Sequence, residues 1–421
     1  MRLALLFLSS IIWFDSLSVA QTLLIHHINV GQGDATLIQV SRGKTVLIDA
    51  GNVGKGKNAV LPYLSGLGIT SLDYLIASHY HADHIGGLPE VIEGLSADSV
   101  REVYDRGSVE PLPASTTFTK YWEAVDRTPK RSTITVGQTL SLSNRITLRC
   151  VAVNGTVAGH GPVPGSNRDE NDLSMAWVLT SEQPANDRIF TFRYFTGGDC
   201  GGSGGDYADL ETPLSPIVAD IDAMKINHHG SRYSTNRTFL DSLRPEAVVI
   251  SVGDRNRYGH PAQETLDRLQ ITNSVRYVYQ TENGNGGSAQ KVKELGTVTI
   301  AVYDSFYVVL ADTFRLTGEP ARAKTNHLTN VTTEENNRKA TSETRMTVEG
   351  QKVCLTVYEP CFITIRLYSI LGQVVSDIAS GYYPRGEYVF NLRDQKLSSA
   401  AYFLRLSTPS EVVVRKVIVL D

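Results

Sequence analysis

Short apolar runs alternate with polar turns from residue 22 to about residue 316. Runs at 23–30, 35–40, 45–48, 72–77, 174–179, 189–195, 223–226, 247–252, 277–280, 298–302 and 307–310 have the length of strands buried on one or both faces. Segments 58–67 and 261–269 carry apolar residues at helical spacing. Strands interleaved with a few helices predict a layered α/β domain over residues 21–316. Gly31-Gln32-Gly33-Asp34 turns between the first two strands, and Ile85-Gly86-Gly87-Leu88-Pro89 reads as a tight turn into a helix.

The pattern changes after residue 316. Between 317 and 345, Thr, Asn, Glu, Lys and Arg dominate and large apolar residues nearly vanish, which predicts a polar linker. Residues 346–421 are strand-like again at 353–357, 362–368, 388–392, 401–406 and 412–419, punctuated by Gly372, Gly381, Pro384-Arg385-Gly386 and Pro409. This stretch predicts a small all-β sandwich of about seven strands or fewer. At the other end, Arg2 precedes an almost wholly apolar segment, 3–14, and Ser18-Val19-Ala20 offers the small residues a signal peptidase reads. Residues 1–20 are therefore expected to be a signal peptide removed before Gln21. The alternative is a membrane anchor, for which the apolar run is short. With no second long apolar segment, the mature chain is expected to be exported and to lack a transmembrane span.

At 421 residues the chain is too long for one typical domain, in line with the two regimes. A net charge of -4 excludes a broadly basic nucleic-acid-binding surface and leaves room for a local basic groove. The cysteines, Cys150, Cys200, Cys354 and Cys361, form no CxxC pair, which argues against a structural zinc cluster. In an oxidising compartment Cys354 and Cys361 are the candidates for pairing, and Cys200 reads as a small packing residue.

The chemistry concentrates at strand ends. His79-Tyr80-His81-Ala82-Asp83-His84 follows the apolar run 72–77 and places three imidazoles and a carboxylate in six residues. Neutral imidazoles and carboxylates are ligands of zinc and similar divalent metals, and this spacing lets one loop serve two adjacent ions. The bland alternative is a polar loop whose histidines only hydrogen-bond. Three further apolar runs end in Gly198-Asp199, in His228-His229-Gly230-Ser231, and in Gly253-Asp254-Arg255-Asn256-Arg257-Tyr258-Gly259-His260-Pro261. Loops at strand ends assemble the active sites of such layered folds.

The series Asp49-Ala50-Gly51, His79-x-His81-x-Asp83-His84, Gly198-Asp199 and His229-Gly230 resembles the metallo-β-lactamase superfamily over about residues 22–312. Asn29-Val30-Gly31-Gln32-Gly33-Asp34-Ala35, His228-His229-Gly230-Ser231 and Asn256-Arg257-Tyr258-Gly259-His260-Pro261 are similar to the hydrolase domain of ComEC-type competence proteins and their secreted relatives, including phosphorylcholine esterases. The resemblance implies an αββα sandwich with a two-metal centre, Zn²⁺ or alternatively Mn²⁺. It implies His79 and His81 on the first metal, Asp83 and His84 on the second, Asp199 bridging, and His229 completing the second site. His228 then becomes a neighbour, an assignment that reverses if His228 is the ligand. Many members add a third histidine to the first metal. Only His160 stands in the corresponding stretch here, with Asn154 or a water as the alternatives. Asn171-Asp172-Leu173-Ser174 matches a feature of the ComEC-like branch and is expected to support the sheet.

The implied chemistry is hydrolysis. Asp83 would orient the attacking water, and a protonated His228 or His260 would serve the leaving oxygen, although His260 also reads as a structural turn residue. Arg232, Tyr233, Arg255, Arg257 and Tyr258 fall beside the implied site and suit an anionic phosphate ester, either extracellular nucleic acid or a phosphorylated surface polymer. The competing readings are a lactam, lactone or other carbonyl-ester hydrolase, and a non-catalytic surface binding protein.

In the last module Ile370-Leu371-Gly372-Gln373-Val374-Val375, Gly386-Glu387-Tyr388, Ala401-Tyr402-Phe403-Leu404-Arg405-Leu406 and Arg415-Lys416-Val417-Ile418-Val419-Leu420 resemble the C-terminal sorting domain of type IX secretion. The tyrosine of Ser399-Ala400-Ala401-Tyr402 lacks the glycine that commonly precedes it. This resemblance implies passage through the periplasm to the outer surface, by contact with the secretion machinery. A carbohydrate- or protein-binding sandwich is the alternative.

Overall fold

A computed structural model describes residues 22–166, 168–185, 188–284, 292–293, 296–310, 312–320, 345–349, 352–358, 361–369, 374–383, 385–392, 397, 400–407 and 412–419. The expected signal peptide and most of the expected linker lie outside the described residues. Among the described residues no helix is long and apolar enough to cross a membrane.

Successive residues of a strand face opposite sides of its sheet, and here that alternation feeds separate cores. Strand Thr36–Val40 sends Ile38 and Val40 to one core and Leu37 to another. Strand Thr45–Ile48 divides Val46 and Ile48 from Leu47 in the same way. In a second sheet, strand Ala247–Ile250 sends Ala247 and Val249 to the first of these cores and Val248 and Ile250 to a third. The shared core lies between two sheets, and each outer core lies under helices. The first domain is thus an αββα sandwich.

Parallel pairing explains where the site forms. Thr45–Ile48, Leu72–Ile76 and Val100–Asp105 run parallel in the first sheet. Arg188–Thr196, Ala223–Lys225 and Ala247–Ile250 run parallel in the second. Parallel strands discharge their following loops at one edge of the sheet. The two edges are tied by hydrogen bonds from Met175 N to Ser78 O (2.8 Å) and from Gly253 N to Gln32 Oε1 (3.2 Å).

Some elements differ from the sequence expectation. Gly86-Gly87 does form the expected turn into a helix, but a further helix also precedes it. Both helices around it are short, Ala82–Ile85 and Leu88–Leu95, and Gly86 keeps a right-handed helical conformation. The glycines are needed for proximity: a Cβ on Gly87 would stand 2.2 Å from Ala50 O. The helix expected from residue 261 begins at Gln263, after an extended Ala262. Helices Thr116–Val125, Glu211–Val218 and Arg237–Leu243 were not marked by the apolar spacing, because each presents one narrow buried face to its sheet. Hydrogen bonding of the second sheet continues to Gly318–Pro320, beyond residue 316.

The C-terminal part is all β. Arg345–Glu349, Lys352–Val357 and Gly386–Asn391 form one sheet, and Val374–Tyr383, Cys361–Ser369, Ala400–Ser407 and Val412–Val419 form another. Val353, Leu355, Ile365, Leu367, Leu404 and Leu406 share their core. The Cys354 thiol is free, and the side chain of Cys361, its expected partner, lies outside the described residues.

Two buried histidines give the first domain a measurable acid sensitivity. Burial lowers His26 to about 4 and His27 to about 3, from an ordinary value of 6.5. His26 hydrogen-bonds Gln39 and Thr299, and His27 faces Tyr194. Because the folded values are depressed, their stabilisation is complete above pH 6.5 and is lost as the pH falls towards 4 and 3. Each imidazole contributes up to about 1.4 kcal/mol per pH unit in that window. Urea midpoints should fall from pH 7 to 4.5, and His27→Gln should flatten the slope. An unchanged slope in the variant would contradict the assignment.

Candidate metal centre

Five loops deliver the site. The strand Leu72–Ile76 runs into Ser78 and His79, and His81 caps the helix Ala82–Ile85 that carries Asp83 and His84. Asp199 follows strand Arg188–Thr196, and His228 and His229 follow Ala223–Lys225. The loop after Ala247–Ile250 brings Arg257, Tyr258 and His260. The fifth, Gly31-Gln32-Gly33-Asp34, leads into strand Thr36–Val40. Gly33 has φ +137°, and a Cβ there would stand 2.4 Å from Asp83 O, so only glycine lets this turn approach the ligand helix.

Backing hydrogen bonds decide which imidazole edge faces inwards. His84 Nδ1 donates to Asp49 Oδ2 (2.8 Å), and His229 Nδ1 donates to Ser251 O (2.9 Å). Ser78 Oγ donates to Asp49 Oδ2 (2.6 Å) and accepts from His79 Nδ1 (3.1 Å). Such outer partners fix the tautomer of a metal-binding histidine. The Nε2 atoms then converge. Asp199 Oδ2 lies 3.3 Å from His84 Nε2, 3.4 Å from His229 Nε2 and 4.0 Å from His79 Nε2. Asp83 Oδ2 lies 3.4 Å from His229 Nε2. His79 Nε2 lies 3.1 Å from His81 Nδ1. His84 Nε2, His229 Nε2 and Asp199 Oδ1 are buried and have no hydrogen-bond partner among the described residues. Buried polar atoms are normally satisfied. Unpartnered nitrogen and oxygen atoms converging from imidazoles and carboxylates are the donor set of a divalent cation, so the residues fit the metal the fold implies.

The electrostatics agree. Burial opposes ionisation of Asp199, but His229 and His84 hold its carboxyl well below the usual range. Burial also opposes ionisation of Asp83, and neighbouring His229, whose Nε2 lies 3.4 Å from Asp83 Oδ2, overcomes it. Burial keeps His79 neutral. His84 is pushed the other way, against burial, by Asp199 and Asp49. Asp199 and Asp34 likewise raise His229 to about 10. The carboxylates thus hold protons on His84 and His229, which a divalent cation would release on binding.

Residues 28–139 match the family model described as the metallo-beta-lactamase superfamily. Together with the αββα sandwich, this match shows a metallo-β-lactamase fold in the first domain. It is 26% identical over 281 residues to ComE operon protein 3 of Bacillus subtilis, covering 61% of this chain and 32% of that one. It is 26% identical over 280 residues to Recombination protein 2 of Haemophilus influenzae, covering 65% and 29%. The chain therefore spans about a third of the length of these curated relatives. The solved metallo-beta-lactamase fold protein YhfI from Bacillus subtilis aligns at 15% identity and a TM-score of 0.37, covering 62% of this chain and 98% of that one.

Within this first domain, His79, His81, Asp83, His84, Asp199 and His229 all reach the centre. His229 sits closer to Asp199 than His228 does, whose Nε2 is 3.8 Å away. Both histidines adopt left-handed backbone, φ 49° and 51°, a rare conformation that clusters at functional sites. His160 is exposed and bonds only Gly161 O, and Asn154 donates to Arg106 O; neither lines the cleft over the centre. That cleft holds about 600 Å³. His228, His260, Arg232, Tyr233, Arg257 and Tyr258 line it. Arg255 does not; it is exposed outside the cleft. The expectation of a protonated His228 or His260 is corrected. Burial lowers both, His260 to about 3 with the help of neighbouring His229, which disfavours the protonated form.

Two residues quoted from the sequence were not expected at the centre. Asp34 lies with His84, Asp199 and His229 in a group whose candidate ligand atoms fall within 4.8 Å of one another. Its carboxylate approaches the Nδ1 edges, 3.7 Å from each histidine, and is held by Lys225 Nζ at 2.6 Å. Asp34 therefore backs the centre, while Asp83 and Asp199 face the inward Nε2 edges. Lys225 was detectable as the one charge inside the apolar run 223–226. The other residue, Asn171, lines the cleft within hydrogen-bond distance of His81.

Proposed function

We propose that this chain is an exported, divalent-metal-dependent phosphodiesterase. The observation that carries this reading is the converging donor set around Asp199 at the floor of a cleft whose rim holds Arg232 and Arg257. Zn²⁺ or Mn²⁺, two ions in the full state, would supply a nucleophile from water at neutral pH and neutralise developing charge. The chain's own groups do the rest. Asp83 is the most open carboxylate of the centre, 21% exposed against 3% for Asp199, and accepts a hydrogen bond from the attacking water. Neutral His228 and His260, stacked edge to face at 5.4 Å, offer N–H groups to the phosphate or the leaving oxygen. Arg257, packed over the Tyr258 ring at 5.1 Å, and Arg232 bind the anionic ester. Similarity to a protein named Recombination protein 2 favours a nucleic-acid substrate. Export rests on the signal-like residues 1–20, and surface delivery on the type IX sorting resemblance of 346–421.

Purified mature chain with Mn²⁺ or Zn²⁺ should turn over bis(p-nitrophenyl) phosphate and leave lactams and lactones intact. No phosphodiester turnover from a folded, metal-loaded sample would overturn the proposal. Arg257→Ala should raise KM several-fold and leave kcat within about threefold, because an exposed guanidinium contributes uniform binding. A selective loss of kcat would contradict that role.

A further inference from the structure

We infer that the Asn171 side-chain oxygen is the third protein donor to the first metal, in the place where the sequence reading looked for a histidine. The inference rests on the two-metal reading of the centre and not on the identity of the substrate.

Two further donor atoms lie against His81 Nδ1. His79 Nδ1 is committed to Ser78 Oγ, so its Nε2 is a bare lone pair, and it lies 3.1 Å from His81 Nδ1. Asn171 Oδ1 lies 2.8 Å from that same His81 Nδ1. Two donors on one ion, each about 2.1 Å from it, stand about 3.0–3.4 Å apart. The His79–His81 spacing falls in this range and the Asn171 spacing close to it. Asp199 Oδ2, 4.0 Å from His79 Nε2, closes the fourth side.

The amide is held with its oxygen inwards. The Asn171 side chain also interacts with the Tyr207 phenol. Its backbone is fixed by Asp169, whose Oδ1 accepts from Asn171 N at 2.8 Å. The neighbouring Glu170 anchors this turn to the histidine loop. Its Oε1 accepts from Tyr80 N (2.8 Å), and Arg106 closes on both its oxygens at 2.9 and 2.7 Å. Residues 170 and 80 are thereby stapled together, which sets Asn171 against His81. His160 and Asn154 are engaged elsewhere.

An amide oxygen is a harder donor than a third imidazole. Carbonyl and carboxylate oxygens favour Mn²⁺, and imidazole favours Zn²⁺. The first site should therefore tolerate Mn²⁺ better than a three-histidine site would.

The test is metal stoichiometry by native mass spectrometry, with isothermal titration of MnCl₂ and ZnCl₂ into the metal-free full chain. The unaltered chain should bind two ions. Asn171→Ala should bind one tightly and lose at least about tenfold in affinity for the other. Asn171→His should restore the second ion and shift its Zn²⁺ over Mn²⁺ preference by tenfold or more. Two ions bound to Asn171→Ala with unchanged affinity would overturn the assignment, as would a single ion on the unaltered chain. Should Asn171→Ala fail to fold by circular dichroism, the metal preference of Asn171→His decides, and an unshifted ratio overturns the assignment. Asn171-dependent loading of two ions without phosphodiester turnover would sink the proposed function and leave this assignment standing.

Discussion

Asp199→Ala is expected to abolish metal loading at the second donor set and to reduce phosphodiester turnover by roughly a thousandfold or more, the scale of losing several kcal/mol of charge stabilisation. Asp199 Oδ2 lies within 4.0 Å of the inward nitrogens of His79, His84, His228 and His229. Its removal leaves those nitrogens without the carboxylate they share. The backbone turn should survive, because Asp199 N is held by Ser174 Oγ at 3.2 Å and Lys225 Nζ holds Gly198 O at 2.9 Å. Metal content by mass spectrometry and kcat/KM on an aryl phosphodiester read the two effects separately. A variant that still loads two ions, or retains turnover, would remove Asp199 from the centre.

Lys225→Met is expected to lower the unfolding free energy by about 3–5 kcal/mol, the cost of stranding one partner of a buried ion pair. Lys225 and Asp34 are both almost fully buried, and their charged atoms lie 2.6 Å apart. Asp34 and Asp199 keep the ammonium charged against the cost of burial. The same nitrogen donates to Gly198 O and Ile226 O, the backbone on either side of the ligand loops. The substitution should therefore weaken metal binding as well as the fold. Urea denaturation checks the first effect. The double variant Lys225→Met with Asp34→Asn should recover part of the loss, since it removes the stranded charge. Destabilisation below about 1 kcal/mol in the single variant would show that the pair contributes little.

Most of the donor set was legible because it is local. His79 to His84 share one loop, and their residue types announce a cation. Asp199 and His229 were legible as polar groups ending apolar runs. Asn171 was visible only as a supporting residue, because an amide carries no signal of ligation without a partner in view. Asp34 was hidden in a turn whose glycines account for its sequence on conformational grounds alone. Arg255 was misplaced by proximity in sequence: Asn256 pins the loop to Gly253 O and His260 O, and Arg257 and Tyr258 reach the cleft while Arg255 does not.

The sequence by itself determined the strand alternation, the two-part division of the chain, and the residue types at the strand ends. Those follow from period-two burial and short-range spacing, which operate within one segment. Only the tertiary structure decided which imidazole edge faces inwards, that Asn171 stands against His81, and that Lys225 pairs with Asp34 beneath the centre. These depend on the pairing of two sheets and on loops separated by some 90 to 190 residues in the chain, Asn171 from His81 and Lys225 from Asp34 among them. A distance of 2.6 Å between residues so far apart is set by the packing of the sandwich, and no local pattern encodes it.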